Sequence, residues 1–250
     1  MNDRKFSWQK ILLWVIIFSI AMGFLETAVV VYLRHIYYPQ GFKFPLAPID
    51  TSLVVVEVGR ELATIIMLLG VGAIAGRTFA SRFAYFILSF AIWDIFYYVF
   101  LKVLLDWPAS WMTWDILFLI PTTWIGPVLA PVIVSITMIG MALIIVITEG
   151  KGRNVWIDWM AWVFLIAGAL VLVLSFIWDY SSYMIGYFSF KEIWTMPNEE
   201  LYKRAYSFVP RNFSWLLFSF GEIIIVAGII RIMQKTGLLK VRTSYGSVLR

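Results

Sequence analysis

Three ionisable residues lie close together inside an apolar stretch, where they could handle a cation or a proton. Glu57, Arg60 and Glu61 occupy positions i, i+3 and i+4 of the segment 54–76, which is otherwise almost entirely apolar. On a helix this spacing places them along one stripe, so we expect Glu57 and Arg60 to form an ion pair. A carboxyl group held in such surroundings is suited to relaying protons, acting as a general acid or binding a hard cation.

Two further sets of charged residues have spacings that indicate local partnerships. Asp94, Tyr98 and Lys102 follow one another at intervals of four residues, so we expect the Tyr98 phenol to bridge the two charges. Glu26 and Arg34 are two helical turns apart, and their interaction therefore requires a neighbouring group or a water molecule between them.

Acids outnumber bases in the apolar segments. The carboxylates placed there are Glu26, Glu57, Glu61, Asp94, Asp179 and Glu222, whereas the bases are Arg34, Arg60 and Lys102. An unpaired charge at the centre of a membrane helix costs about 2.5 to 3.5 kcal/mol. The three surplus acids should be protonated, hydrated or neutralised by a cation, unless all of these charges are only ties between helices. We predict an outward-facing acidic pocket formed by Glu26, Glu57, Arg60, Glu61, Asp94, Tyr98, Lys102 and Glu222.

The composition indicates an integral membrane protein. Of 250 residues, 62% are hydrophobic and 14% are charged, whereas soluble domains average about a quarter charged. We predict an all-α, polytopic bundle of six transmembrane helices in a single domain, 1–250. The six spans are 9–33, 51–75, 83–105, 123–147, 158–183 and 212–232.

The distribution of Lys and Arg predicts the orientation of the bundle. An even number of spans places both termini on one side, and twelve of the twenty basic residues fall on that side: Arg4, Lys5, Lys10, Arg77, Arg82, Lys151, Arg153, Arg231, Lys235, Lys240, Arg242 and Arg250. Basic residues collect on the cytoplasmic side, so we predict cytoplasmic termini in a cell inner membrane. The net charge of +5 is then explained by anionic lipid of the bilayer, and we predict no nucleic-acid partner.

The segment before the fourth span contains three prolines, Pro121, Pro127 and Pro131. Because proline interrupts a helix, we expect a short half-helix or re-entrant turn at 115–120. Asp115 would then serve first as the N-cap of that half-helix and only second as a pocket residue.

The last outer loop contains an amphipathic segment around 197–208. Leu201, Ala205 and Phe208 fall on one helical face, opposite charged side chains. We predict a short interfacial helix, which either lies on the lipid headgroups or covers a cavity as a lid.

The residue inventory excludes several kinds of chemistry. The chain has no cysteine and one histidine, His35, so thiolate chemistry, Cys-ligated clusters, bis-His haem and HExxH zinc sites are all excluded. P-loop, GxGxxG and GxSxG motifs are absent from the sequence. We predict no metal and no cofactor, and the sequence assigns no catalytic residue.

Three segments in the first half of the chain resemble parts of known multi-pass proteins. They are GRELATIIML (59–68), WDIFYYVFLKVLLDWP (93–108) and WDILFLIPTTWIGPVLAP (114–131). These segments resemble those of uncharacterised bacterial multi-pass inner-membrane proteins. The resemblance implies a polytopic membrane protein and brings with it no activity, ligand or catalytic residue.

Three functions remain compatible with the sequence. The first is binding or translocation of a small polar or cationic solute, or of protons, through the acidic pocket. The second is an intramembrane enzyme that uses the carboxylates for acid/base chemistry on a lipid or isoprenoid-like substrate. The third is an accessory subunit whose charges tie it into a membrane complex. A polar path through the bundle would favour the first, and an opening to lipid beside the acids would favour the second.

Overall fold

The computed structural model describes residues 7–189, 192 and 199–239. Seven helices and one hairpin are formed by these residues. The helices are α1 (Trp8–Tyr37), α2 (Thr51–Ala75), α3 (Phe79–Leu105), α4 (Leu129–Gly150), α5 (Trp159–Ile185), α6 (Glu199–Tyr206) and α7 (Trp215–Lys235), and the strands are β1 (Trp114–Phe118) and β2 (Trp124–Pro127). Five of the basic residues that were used to predict the orientation lie outside the described residues: Arg4, Lys5, Lys240, Arg242 and Arg250. Residues 197–198 of the predicted interfacial helix lie outside them as well.

Five of the helices, α1, α3, α4, α5 and α7, are long and apolar enough to cross a membrane, as in a multi-pass membrane protein. The fifth and sixth predicted spans coincide with α5 and α7, and the first and third with α1 and α3. Helix α2 has the predicted bounds and 25 residues, but it carries the three charged residues Glu57, Arg60 and Glu61.

Short polar residues fix where several helices begin. The Asp50 side chain accepts a hydrogen bond from the backbone N–H of Ser52 at the start of α2. Thr78 and Ser81 form a reciprocal capping box at the start of α3, and Asp158 caps α5. These side chains satisfy backbone donors that have no partner within the helix.

The predicted start of the fourth span was wrong, and so was the predicted half-helix at 115–120. Residues 114–118 form β1, which pairs antiparallel with β2, and α4 begins only at Leu129. Pro127 ends β2, and Pro131 lies in the first turn of α4, where its missing N–H would have had no helical partner. The β-branched and aromatic residues of this segment favour the extended conformation.

Helix α3 is the centre of the bundle. It packs against α1, α2 and α4, whereas α5 packs chiefly against α7. The α5/α7 contact is close because of glycines: a Cβ atom at Gly168 would lie 2.5 Å from Cγ1 of Ile225 and 2.9 Å from the carbonyl oxygen of Gly221. The hairpin connects the two groups, since β2 contacts both α4 and α5.

Candidate functional site

A cavity of about 290 Å³, here called the outer cavity, lies where α1 ends and α2 begins, beside the hairpin and under α6. Its size is at the lower end of the range for small-molecule sites. Five charged residues line it, Arg34, Glu57, Arg60, Glu61 and Asp115, and its aromatic residues are Tyr37, Tyr38, Phe42, Tyr97, Tyr180, Tyr202, Tyr206 and Phe208. Aliphatic side chains form most of the remaining wall.

Arg60 joins two carboxylates on different helices. Its Nε donates to Oε2 of Glu57 at 2.8 Å, so the predicted i, i+3 pair forms. Its Nη1 is also paired with Oε1 of Glu26 on α1. The side chains of Glu26, Glu57 and Arg60 are all largely buried, and one guanidinium group therefore balances two acids.

Asp115 is a buried wall residue of the outer cavity rather than a helix N-cap, because the half-helix it was predicted to cap does not exist. Its Oδ1 lies 3.5 Å from Nη2 of Arg34, and its Oδ2 accepts a hydrogen bond of 3.2 Å from the Tyr98 hydroxyl. The Arg34 guanidinium lies 3.7 Å from the ring centroid of Trp107 and 4.7 Å from that of Phe42. Burial raises the pKa of Asp115 to about 6, although Arg34 and Tyr98 both act to lower it.

A second cavity of about 60 Å³, here called the inner cavity, continues deeper into the bundle. Its charged residues are Glu26, Arg60, Glu61 and Asp94, and it shares Arg60, Glu61 and Tyr97 with the outer cavity. This volume accommodates about two water molecules. Glu61 therefore stands between the two cavities.

Two carboxylates of the inner cavity, Glu61 and Asp94, have neutral hydrogen-bond donors. Oε2 of Glu61 accepts from the backbone N–H of Leu119 in the hairpin at 2.9 Å, and Oδ2 of Asp94 accepts from the Ser135 hydroxyl at 2.8 Å. Neither carboxylate forms an ion pair within the described part of the chain. Glu61 and Asp94 thus converge on the inner cavity without a basic partner of their own.

Three of the predicted pocket residues make contacts other than the expected ones. The predicted ladder of Asp94, Tyr98 and Lys102 does not form, since the Tyr98 hydroxyl donates to Asp115 instead. Lys102 is half-exposed, lies in neither cavity and pairs with Asp106 at 2.6 Å. The i, i+4 spacing would allow the ladder. The Tyr98 hydroxyl instead bonds Asp115 on the hairpin, which is a partner that spacing along one helix does not predict.

Glu222 lies apart from the other acids, between α4 and α7. Its Oε2 accepts from the Thr137 hydroxyl at 2.9 Å, and its Oε1 is buried without a hydrogen-bond partner among the described residues. Glu222 lines neither the outer nor the inner cavity. Of the predicted pocket acids Glu61, Asp94 and Glu222, the first two come together at the inner cavity, whereas Glu222 does not join them.

Helix α6 covers the outer cavity with the face that its sequence predicts. Leu201, Tyr202, Ala205 and Tyr206 line the cavity, together with Phe208, which is buried just beyond the helix. The Tyr206 hydroxyl donates to the carbonyl of Ile49 at 2.9 Å. The amphipathic pattern could identify this face, whereas nothing in the sequence pointed to the wall residues Tyr37, Tyr38 and Tyr180.

Around the two cavities, five carboxylates (Glu26, Glu57, Glu61, Asp94 and Asp115) share two guanidinium groups (Arg34 and Arg60). In residues 7–189, 192 and 199–239, no group of three or more acidic, histidine or cysteine side chains is arranged to hold a metal ion. Comparison with protein-family models, curated proteins and solved structures finds no match to this chain.

Proposed function

We propose that the chain is a six-span protein of the cell inner membrane that binds a small organic cation in the outer cavity, from the outer side. In this proposal α2 crosses the membrane in addition to the five apolar helices, both termini are cytoplasmic, and the inner cavity supplies water or a proton site behind the ligand. Translocation of the cation, or of protons, is the further step that the same acids would serve.

Helix α2 suits the role of a sixth span. With 25 residues it is longer than α4 and α7, and it packs along α3, which is one of the five apolar helices. Its charges are paired or hydrogen-bonded within the protein, since Arg60 binds Glu57 and Glu26, and Glu61 binds the hairpin backbone. Internal pairing reduces the cost of carrying charges into a bilayer.

The surplus of carboxylates is the observation that carries the proposal. Two guanidinium groups cannot neutralise five acids, and a bound cation would supply part of the missing positive charge. Glu61 is best placed to meet a ligand, because it lines the outer cavity and has no ion-pair partner among the described residues.

The uncharged part of the wall supports an organic cation rather than a hydrated inorganic one. Aromatic ring faces attract ammonium groups, and the attraction is worth about 2 kcal/mol when the groups are desolvated. The outer cavity presents tyrosine and phenylalanine side chains beside its acids, while aliphatic side chains suit an apolar body.

Binding to the purified protein tests the proposal. The probes are benzyltrimethylammonium and, as uncharged and anionic counterparts, benzyl alcohol and phenylacetate, each titrated by calorimetry. We expect the cation to bind and the other two to bind at least tenfold more weakly. Equal binding of all three, or tighter binding of phenylacetate, would exclude a cation site.

A matched pair of variants locates the site. Glu61→Gln removes a carboxylate from the boundary of the two cavities, whereas Glu222→Gln makes the same change at a carboxylate that lines neither. We expect the first to weaken cation binding about tenfold, as loss of a charged hydrogen bond or ion contact does, and the second to leave it unchanged. Equal losses would show that the cation binds elsewhere.

The apolar wall favours one alternative, an intramembrane enzyme that acts on a lipid or isoprenoid-like substrate. Aliphatic residues such as Val30, Leu33 and Leu119 lie beside Glu61 and Asp115, where an apolar chain could lie against a proton donor. In that case an allylic lipid supplied in detergent should be converted by the wild type and not by Glu61→Gln. Cation binding without any conversion would favour the first proposal.

A further inference from the structure

A third cavity lies at the opposite end of the bundle from the outer cavity. It measures about 280 Å³ and is formed where α1 and α3 begin and where α2 and α4 end. We call it the basal cavity and define it by Trp8, Arg77, Ser81, Tyr85 and Glu149. It has no part in the function proposed above.

The basal cavity combines one positive and one negative side chain with a free hydroxyl. Arg77 is exposed and has no ion pair within the described ranges, although its backbone N–H is bound by Ser81. Glu149 is held in place by the Thr78 hydroxyl, at 2.8 and 2.9 Å from its two oxygens. Opposite charges that line one cavity without pairing are suited to a ligand that carries both signs.

Tyr85 supplies the second, independent observation. The residue is 4% exposed, lines the basal cavity, and its hydroxyl has no hydrogen-bond partner in the part of the chain that the structure describes. It lies within electrostatic range of both Glu149 and Arg77. The ring is buried while the hydroxyl oxygen stays open to the cavity, so this oxygen is available to a ligand.

We infer that the basal cavity binds a phosphoethanolamine group, with the phosphate at Arg77 and Tyr85 and the ammonium at Glu149. Guanidinium groups bind phosphate through paired N–H donors, and a carboxylate accepts from an ammonium group. The positive end of the α1 helix dipole, at Trp8, adds to the attraction for phosphate.

The surroundings of the cavity indicate where such a group would come from. Trp156 and Trp159 are both largely exposed near the start of α5, at the same end of the bundle, and Trp8 lines the cavity itself. Tryptophan collects at the headgroup level of a bilayer. The same chemistry is carried by a zwitterionic phospholipid and by free phosphoethanolamine, and the experiment separates these two sources.

Native mass spectrometry of the full chain in detergent tests the inference. The probes are phosphatidylethanolamine, phosphatidylglycerol with the same acyl chains, free phosphoethanolamine and inorganic phosphate. We expect phosphatidylethanolamine to bind about tenfold more tightly than phosphatidylglycerol. Equal binding of the two lipids would overturn the inference, because it would mean that the ammonium group is not recognised. Displacement of the lipid by equimolar free phosphoethanolamine would support the site and assign it to a soluble ligand.

Variants assign the two charges. Arg77→Gln should weaken phosphatidylethanolamine binding about tenfold, and Arg77→Lys, which keeps the charge, should weaken it less. Glu149→Gln should abolish the preference over phosphatidylglycerol while keeping the contact to Thr78. Arg153→Gln is the control, since Arg153 is exposed near the end of α4 but does not line the cavity. An effect of Arg153→Gln equal to that of Arg77→Gln, or an unchanged preference in Glu149→Gln, would refute the inference.

Discussion

The α5/α7 contact and the α1/α2 contact are built on opposite principles. Helices α5 and α7 approach closely along Gly168, Gly221 and Gly228, where a Cβ atom would meet the facing helix. Helices α1 and α2 pack chiefly on α3 and scarcely on each other. They are joined by the ion pair between Arg60 on α2 and Glu26 on α1. Small residues let helices close on one another, whereas long charged residues keep them apart and leave room for a cavity.

Removing the bridge should have the largest effect on stability. Arg60→Gln leaves Glu26 and Glu57 buried without their counter-ion, so we expect a loss of about 3 kcal/mol in the free energy of unfolding. Chemical unfolding in detergent, followed by tryptophan fluorescence, measures it.

Lys102→Gln is the control for that change. Lys102 pairs with the exposed Asp106, and an ion pair that is screened by solvent in this way contributes little to the free energy of unfolding. If the two variants lost equal stability, the α1/α2 bridge would be no stronger than a surface ion pair, and the contrast with α5/α7 would disappear.

Filling the close contact should cost somewhat less. Gly168→Ala places a methyl group against Ile225 and the Gly221 carbonyl, and such overpacking costs about 2 kcal/mol. Gly140→Ala on α4 is the matched control, because nothing lies within 4 Å of a Cβ atom there. This control should gain about 0.5 kcal/mol from the better helix propensity of alanine. A neutral Gly168→Ala would mean that the glycines do not determine how closely α5 and α7 pack.

Removing one hydroxyl from the cavity wall should have a smaller effect. Tyr98→Phe deletes the hydrogen bond to Asp115 and should cost about 1 kcal/mol of unfolding free energy. Tyr32→Phe changes an exposed phenol on α1 and should leave stability unchanged. If both substitutions were neutral, the hydrogen bond between Tyr98 on α3 and Asp115 on the hairpin would contribute nothing to the free energy of unfolding.

The smallest effect on stability is expected from the ion pair that joins α7 to the residue capping the start of α5. Arg231 on α7 donates hydrogen bonds to Asp158 and thereby holds the pKa of that carboxyl below its usual value of about 3.9. A lowered carboxyl pKa stabilises the fold above the unfolded value, and this contribution is lost as the pH falls through the folded value. We expect the thermal midpoint of the wild type to drop slightly more than that of Asp158→Asn between about pH 5 and pH 3. Parallel pH profiles would show that this pair is not coupled to folding.

The sequence predicted most of the helices, because a long apolar run indicates a helix without any knowledge of tertiary contacts. The hairpin was not predicted, since a short and mostly apolar run such as WDILF is compatible with either a buried strand or a piece of helix. The prolines correctly marked an interruption, yet they did not say what kind of backbone replaced the helix.

The charged site was predicted only where partners are neighbours in sequence. The pair of Glu57 and Arg60 follows from helical spacing, whereas the contacts of Arg60 with Glu26 and of Arg34 with Asp115 join separate elements. Spacing suggested Lys102 as a cavity residue, and its position at the end of α3 lets it turn outward to Asp106 instead. Tertiary packing chooses among the partners that local spacing allows.

Two hydrogen bonds hold α6 and its C-terminal end in place. The Tyr206 hydroxyl donates to the Ile49 carbonyl, and the Tyr183 hydroxyl is bonded to that of Ser207. A ligand that leaves the outer cavity past α6 can do so only after these two hydrogen bonds break. Its residence time would therefore be determined by the movement of this helix rather than by the acids beneath it. Tyr206→Phe should therefore speed association and dissociation together and leave the equilibrium constant nearly unchanged. Faster dissociation at an unchanged association rate, and therefore weaker affinity, would instead show that Tyr206 contacts the ligand.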